Sequence, residues 1–233
     1  MALRPRPAHL RLETVLLAAG SAAVLIAASA VGIGIAQAAT SLPCDIYASG
    51  GTPCVAAHST TRALFGGYNG PLYQLRRASD GATTNIGLLS AGGYANAAAQ
   101  DSFCDNTTCV VTIIYDQTSR HNNFTVAPAG GAGGADNPPP ADALPVTAGG
   151  HTVYGLSFSG VMGYRNNATS GVATGSQPEG MYLVTSGTHV NNRCCFDYGN
   201  AETNSRDNGN GHMDAINFGT EATARSDRSS RAS

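Results

Sequence analysis

Apolar and polar positions along the chain alternate over short stretches, and long helical periods are scarce. Val110–Tyr115 (VVTIIY) is rich in β-branched residues and predicts a strand. Leu72–Arg76 alternates before Arg76-Arg77 and predicts another. His151–Phe158, Met181–Thr185 and the short Ala215–Phe218 complete the expected strands. Two helices are expected. One runs through Val55–Leu64, where Thr52-Pro53 reads as an N-cap and first-turn pair. The other is a turn or two within the Ala-rich Tyr94–Phe103. Ala127–Gly150 carries Pro128, Pro138, Pro139, Pro140 and Pro145 among many Gly. Proline cannot donate to a ladder, so this stretch predicts a long surface loop. Short strands, turn-rich joins and little helix point to an all-β protein of the sandwich type.

Both ends depart from this pattern. Arg4, Arg6 and Arg11 precede an uncharged apolar run from Val15 to about Ile35, followed by Ala36-Gln37-Ala38. This is the layout of a secretory signal peptide, residues 1–38, cut after Ala38. The alternative is an uncleaved N-terminal anchor, since about 20 apolar residues span a bilayer. Either way the remainder is exported, and a secreted, extracellular protein is expected. After Gly219 the residues 220–233, TEATARSDRSSRAS, hold no Val, Ile, Leu, Met or aromatic side chain. Composition predicts a disordered tail there. Residues 39–219 remain as the folded region.

Composition sharpens the class. Charged residues are 12% of the 233, and all 13 basic residues are Arg. The usual globular share of charge is ~25%. Removing residues 1–38 takes three Arg and one Glu, and leaves 10 Arg against 14 acids, a net −4. No basic footprint for nucleic acid is present.

Six cysteines, Cys44, Cys54, Cys104, Cys109, Cys194 and Cys195, lie beyond the leader. Export favours disulfides. Short-range pairing of Cys44 with Cys54 and of Cys104 with Cys109 would staple two loops. Adjacent Cys194 and Cys195 leave three readings open: a strained ring between neighbours, bonds to distant cysteines, or free thiols. No C-x-x-C or H-x-x-x-H spacing supports zinc, and no metal site is expected.

Other motifs fail on inspection. Gly155-Leu156-Ser157-Phe158-Ser159 ends in Ser where a nucleophile elbow needs Gly. Gly130–Gly134 lacks the Lys-Ser/Thr of a phosphate loop. Asp207-Asn208-Gly209-Asn210-Gly211 places Phe218 where a calcium loop needs Glu, and reads as a turn. His9, His58, His121, His151, His189 and His212 share no ligand spacing. Glu179, Asp197, Glu202, Asp207 and Asp214 are the acids in the chemically suggestive region. Glycoside hydrolysis needs two carboxyls ~5–9.5 Å apart, a separation that sequence does not give. Trp is absent, so Tyr154, Tyr164, Tyr182 and Tyr198 are the aromatics available to a sugar. Asn106-Thr107-Thr108, Asn123-Phe124-Thr125 and Asn167-Ala168-Thr169 fit the N-glycosylation sequon and mark surface.

Three long stretches carry a resemblance. They are Cys44-Asp45-Ile46-Tyr47-Ala48 continuing through Thr52-Pro53-Cys54-Val55-Ala56-Ala57-His58 to Leu64; Ser90-Ala91-Gly92-Gly93-Tyr94 through Gln100-Asp101-Ser102-Phe103-Cys104; and Cys194-Cys195-Phe196-Asp197-Tyr198-Gly199-Asn200-Ala201-Glu202-Thr203. Asn69-Gly70-Pro71-Leu72-Tyr73-Gln74, Ile114-Tyr115-Asp116-Gln117 and Gly209-Asn210-Gly211-His212-Met213 add to them. Together, from Ser41 to Gly219, they resemble the catalytic domain of α-L-arabinofuranosidase B, glycoside hydrolase family 54.

The resemblance implies a concanavalin-like β-sandwich. It implies a retaining exo-hydrolase that removes terminal α-L-arabinofuranosyl groups from arabinan and arabinoxylan, with no cofactor. Arabinose-containing plant polysaccharides would be its partners, and the protein would be a monomer. It pairs Cys44–Cys54, Cys104–Cys109 and the neighbours Cys194–Cys195, the last forming an apolar platform under the bound furanose. The family's nucleophile Glu and acid/base Asp fall beyond the stretch matching Ile216–Gly219, so no residue here inherits either role. Glu221 lies in sequence that does not match. The resemblance therefore implies a sandwich incomplete at its C-terminus and an inactive chain. Two alternatives stand beside it: a non-catalytic secreted arabinofuranoside-binding protein, and a compact enzyme using Asp197 or Glu202.

Overall fold

The computed structural model describes residues 41–129, 134–174, 176–188, 194–200 and 215–220, and for 194–197 and 217–220 the backbone alone. The expected leader, the expected turn at Asp207–Gly211 and residues 221–233 lie outside the described residues, as do His189, Glu202, His212 and Asp214. The chain divides into two units, and every described residue belongs to the unit Ala38–Ser233.

Helix α1 spans Pro43–Ser49. Proline at its first position costs no intrahelical bond. Asp45 closes the entry by accepting the Leu42 N–H at 2.9 Å and the Gly66 N–H at 2.7 Å. Strands β1 (Tyr73–Arg77) and β2 (Thr83–Ile86) form a hairpin, and α2 (Ala97–Phe103) follows with Asn96 accepting the Ala99 N–H. Then come β3 (Cys109–Ile114) and β4 (Phe124–Val126), the hairpin β5 (Leu144–Ala148) with β6 (His151–Gly155), and short β7 (Tyr164–Arg165). Strand β8 (Cys194–Gly199) pairs antiparallel with β9 (Ala215–Thr220).

Five strands make one antiparallel sheet in the order β2-β1-β3-β4-β7. Alternation sets its buried face. Tyr73 and Leu75 of β1, Ile86 of β2 and Val111 of β3 are almost fully buried, with Leu72 and Val153 of β6 packed among them. Complete burial of each large aliphatic side chain is worth about 1.5–3 kcal/mol. Inside this core Tyr73 donates its hydroxyl to Gln100 Oε1 at 2.8 Å, and Gln100 Nε2 donates to Ala141 O at 2.9 Å. A smaller cluster gathers Cys44, Ala57 and Leu64. The Cys44–Cys54 and Cys104–Cys109 disulfides form as the resemblance implies.

Three expectations need correction. Val55–Leu64 is not helical, because buried side chains take its N–H groups: Asp116 Oδ1 accepts from Ala57 at 2.8 Å and Gln117 Oε1 from Leu64 at 2.6 Å. The Pro-rich stretch is more than a surface loop. Pro139 and Ala141 are buried, with Val111 N–H donating to Pro139 O and Ala141 N–H to Cys109 O. Pro145 lies in β5, whose only partner among the described residues is β6. Finally, Met181–Thr185 is irregular and pairs with no strand among the described residues, and Val184 is 89% exposed.

Candidate functional site

The most constrained polar group described is Asp116, just after β3. Its carboxylate accepts four hydrogen bonds: from Ala57 N–H at 2.8 Å, Thr118 N–H at 3.0 Å, Thr118 Oγ1 at 2.6 Å and Asn122 N–H at 2.8 Å. Bonds to an ionised acceptor are the strong ones, and here they satisfy a carboxylate that is 4% exposed. Asn122 extends the hub. Its amide donates to Val55 O and Ser170 O and accepts from Ser170 N–H. Three distant segments are therefore tied at one point.

His58 sits on this hub. Its Nε2 lies 2.8 Å from Asn122 O. A carbonyl can only accept, so Nε2 carries the proton and Nδ1 is left as a lone pair, buried and without a partner among the described residues. Burial lowers the His58 pKa from its ordinary value, against the opposing pull of the Asn122 bond and of Asp116. The imidazole stacks on Phe124 of β4, and Phe124 meets Tyr198 of β8 edge-on at 6.3 Å. Burial pushes the Tyr198 phenol up to about 12, with Tyr182 and Asp116 adding to the shift. The hub thus reaches β8 through a continuous aromatic contact.

Strand β8 carries both expected platform residues. Cys194 pairs with Thr220 and Cys195 with Gly219 along the β8–β9 ladder. Their side chains, and hence the bond between them, lie outside the described residues, as does the Asp197 carboxylate. At the far end of β8, Asn200 donates to Glu179 Oε2 at 2.5 Å and to Ala173 O at 3.2 Å.

The four tyrosines divide. Tyr164 donates to Val111 O at 2.7 Å and is raised by burial, a structural role. Tyr154 donates to Asp101 at 2.7 Å; that bond, then burial, pushes it up to about 12. Tyr182 and Tyr198 belong to the β8 side. Tyr182 stacks on the half-exposed Tyr47 of α1 at 5.9 Å, and its buried hydroxyl has no partner among the described residues. His151 stacks on Tyr94, away from the hub. Among the described residues no group of three His, Cys, Asp or Glu side chains could hold a metal ion.

Sequence reasoning missed Asp116 and Asn122 as organisers. Asp116 lies in the stretch Ile114-Tyr115-Asp116-Gln117, which carries the resemblance without revealing what it does, and Asn122 lies in none of the stretches that carry it.

Comparison with known proteins supplies the class. The family described as α-L-arabinofuranosidase B, catalytic, matches residues 43–230, a span that takes in most of the stretch expected as a tail. The chain therefore belongs to the α-L-arabinofuranosidase B catalytic-domain family. It is 64% identical over 202 residues to a probable α-L-arabinofuranosidase B of Aspergillus terreus, covering 84% of this chain and 40% of that protein. It is 61% identical over 204 residues to an α-L-arabinofuranosidase of Hypocrea jecorina, covering 85% and 40%. The crystal structure of an arabinofuranosidase complexed with arabinofuranosyl-α-1,2-xylobiose superposes with a TM-score of 0.75 at 57% identity, covering 78% of this chain and 39% of that one. A structure of a family 54 α-L-arabinofuranosidase soaked with a cyclic sulfate inhibitor gives a TM-score of 0.76 at 57% identity, covering 78% of this chain and 39% of that one. The all-β, antiparallel architecture is thus that of this family's β-sandwich, and the chain spans about 40% of the length of the relatives it matches.

Proposed function

We propose that this chain forms part of a secreted, retaining α-L-arabinofuranosidase that removes terminal arabinofuranosyl groups from arabinan and arabinoxylan. The observation that carries the reading is the likeness to an arabinofuranosidase solved with arabinofuranosyl-α-1,2-xylobiose, at 57% identity. The two disulfides support an oxidising compartment, and so an exported chain behind a leader at residues 1–38. The furanose would rest on a Cys194–Cys195 ring, a rigid platform that loses no side-chain entropy on binding. The role of the hub at Asp116 is to hold β8 through His58, Phe124 and Tyr198.

The resemblance assigns neither the nucleophile nor the acid/base to any residue of these 233. As a separate polypeptide the chain would be a monomer that binds the sugar and does not hydrolyse it. The test uses the purified chain with arabinofuranosyl-xylobiose in calorimetry and with 4-nitrophenyl α-L-arabinofuranoside in a hydrolysis assay. Binding that disappears in the Cys194→Ser, Cys195→Ser double variant, with no release of nitrophenol, is the expected result. Absence of binding by the folded wild type overturns the platform. Hydrolysis overturns the assignment of catalysis elsewhere, and Asp197→Asn and Glu202→Gln then identify the acids.

A further inference from the structure

Arg62 is a half-buried cation on a fixed stem. Its backbone bridges to Tyr94, with Ala63 N–H donating to Gly93 O and Ala95 N–H to Thr61 O on either side. Its carbonyl accepts from Gln117 Nε2, and its own N–H donates to Ser59 Oγ. The guanidinium lies over the Tyr94 ring, 5.1 Å from the centroid. Tyr94 is itself held in place. It stacks on His151 at 4.9 Å, and its hydroxyl fills the space that a side chain at position 149 would need, where the chain has Gly149. Arg62 Nε donates to Ala63 O at 3.2 Å. Neither Nη has an acceptor among the described residues, where the one ion pair is Arg77–Asp80.

A second donor without an acceptor stands near it. The Tyr182 hydroxyl is buried and has no partner among the described residues. Burial raises the Tyr182 phenol and Arg62 opposes that rise, so the guanidinium is within electrostatic reach of the ring. Tyr182 stacks on Tyr47, which is 42% exposed. Donors in excess beside an open aromatic ring call for an acceptor-only group joined to a body with an apolar face. A hexuronate has both. Its carboxylate takes two parallel N–H bonds from a guanidinium fork, and the C–H face of its ring suits a tyrosine. Beyond residue 38 the chain is net −4, so general attraction of polyanions does not assist and the binding has to be made locally.

We infer that Arg62 and Tyr47 bind a glucuronate side group of a xylan chain, its carboxylate on the Arg62 guanidinium and its ring on Tyr47. Xylan is favoured over other uronate-bearing polymers because the arabinofuranosidase that this chain superposes on was solved with arabinofuranosyl-α-1,2-xylobiose. To that extent the inference rests on the arabinofuranosidase reading. The site is separate from the Cys194–Cys195 platform, so the two are tested on the same samples with different probes. The purified full chain is titrated by calorimetry with glucuronosyl-xylotriose, neutral xylotriose and arabinofuranosyl-xylobiose. Its arginines are also labelled with phenylglyoxal, with and without each sugar, and mapped by mass spectrometry.

Glucuronosyl-xylotriose should bind wild type about ten- to hundredfold more tightly than xylotriose. It should slow labelling of Arg62 and leave Arg77, already held by Asp80, unchanged. R62Q should remove the preference for the acidic sugar, and R62K should weaken it, since an ammonium lacks the fork. Y47L should weaken binding of the acidic sugar while Arg62 stays protected at saturation. Equal affinity of wild type for the acidic and the neutral sugar overturns the inference, however the variants fold. Protection of Arg62 by acetate as complete as by the sugar overturns it too, leaving an adventitious ion only. Protection by trigalacturonate as strong as by glucuronosyl-xylotriose rejects the assignment to xylan. Protection of Arg62 by the acidic sugar in a chain that does not bind arabinofuranosyl-xylobiose supports this site and rejects the platform alone.

Discussion

The imidazole of His58 lies face to face on the ring of Phe124, with centroids 3.9 Å apart and planes 15° from parallel. The two residues come from segments 66 positions apart in sequence. The stack is held from behind by the bond between His58 Nε2 and Asn122 O, and from the other side by Tyr198 of β8. It is the contact through which an irregular loop and a central strand together reach the strand that carries Cys194 and Cys195.

Stability should fall on mild acidification because of this ring. The folded-state pKa of His58 lies below its ordinary 6.5, so below that pH the unfolded chain binds more protons than the folded one. The sign follows: His58 contributes nothing adverse above about pH 6.5 and destabilises progressively as pH drops through and below it. The ceiling for one proton is about 1.4 kcal/mol per pH unit. Urea unfolding between pH 7.5 and 5 should show a steeper loss for wild type than for His58→Phe. Equal slopes would remove His58 as the cause.

Asp116→Asn should be among the most damaging single changes in the loops. Whichever oxygen becomes the NH2 group, a backbone N–H loses its acceptor: that of Asn122 at the Oδ2 position, or those of Ala57 and Thr118 at the Oδ1 position. An unsatisfied buried donor together with a lost charge-assisted bond costs about 3 kcal/mol. The check is a lowered urea midpoint at unchanged m value. A shift under about 0.5 kcal/mol would show that the hub is dispensable.

The two disulfides should differ in worth. Cys44 and Cys54 are 10 positions apart, and Cys104 and Cys109 are 5 apart. Loop-closure entropy alone gives about 3 kcal/mol for the longer loop and about 2 kcal/mol for the shorter. Pairwise replacement by Ala, followed by thermal unfolding, should rank Cys44–Cys54 as the costlier loss.

Gly92 and Gly81 both have positive φ, at 68° and 72°, yet replacement by Ala should separate them. At Gly81 a methyl group meets nothing, and at Gly92 it runs into the backbone carbonyl of Gly66. Gly81→Ala should cost about 1 kcal/mol for the left-handed conformation alone. Gly92→Ala should cost clearly more, since a backbone oxygen cannot move aside without disturbing the 65–68 turn. Equal midpoints for the two variants would contradict the close approach.

Part of this architecture is written in local sequence. Val110–Tyr115 and Leu72–Arg76 declare strands because β-branched residues and strict alternation suit a half-buried pleat, and β3 and β1 form there. The Ala-rich stretch before Cys104 declares α2. The short spacings of Cys44–Cys54 and Cys104–Cys109 make local bridges natural. Long identical-looking runs such as Cys194–Thr203 declare the family.

Tertiary structure decided the rest. Thr52-Pro53 has the local chemistry of a helix start, but Asp116 and Gln117, more than 50 positions away, take the N–H groups that a helix would use. Pro139 reads as surface, yet β3 offers its Val111 N–H to that proline's carbonyl, a bond that asks no N–H of proline. Phe124–Val126 is too short to announce a strand and exists because β3 and β7 flank it. The Asp116 hub was invisible for the same reason. A carboxylate's identity is local, but the four donors that make it an organiser are brought to it only by the fold.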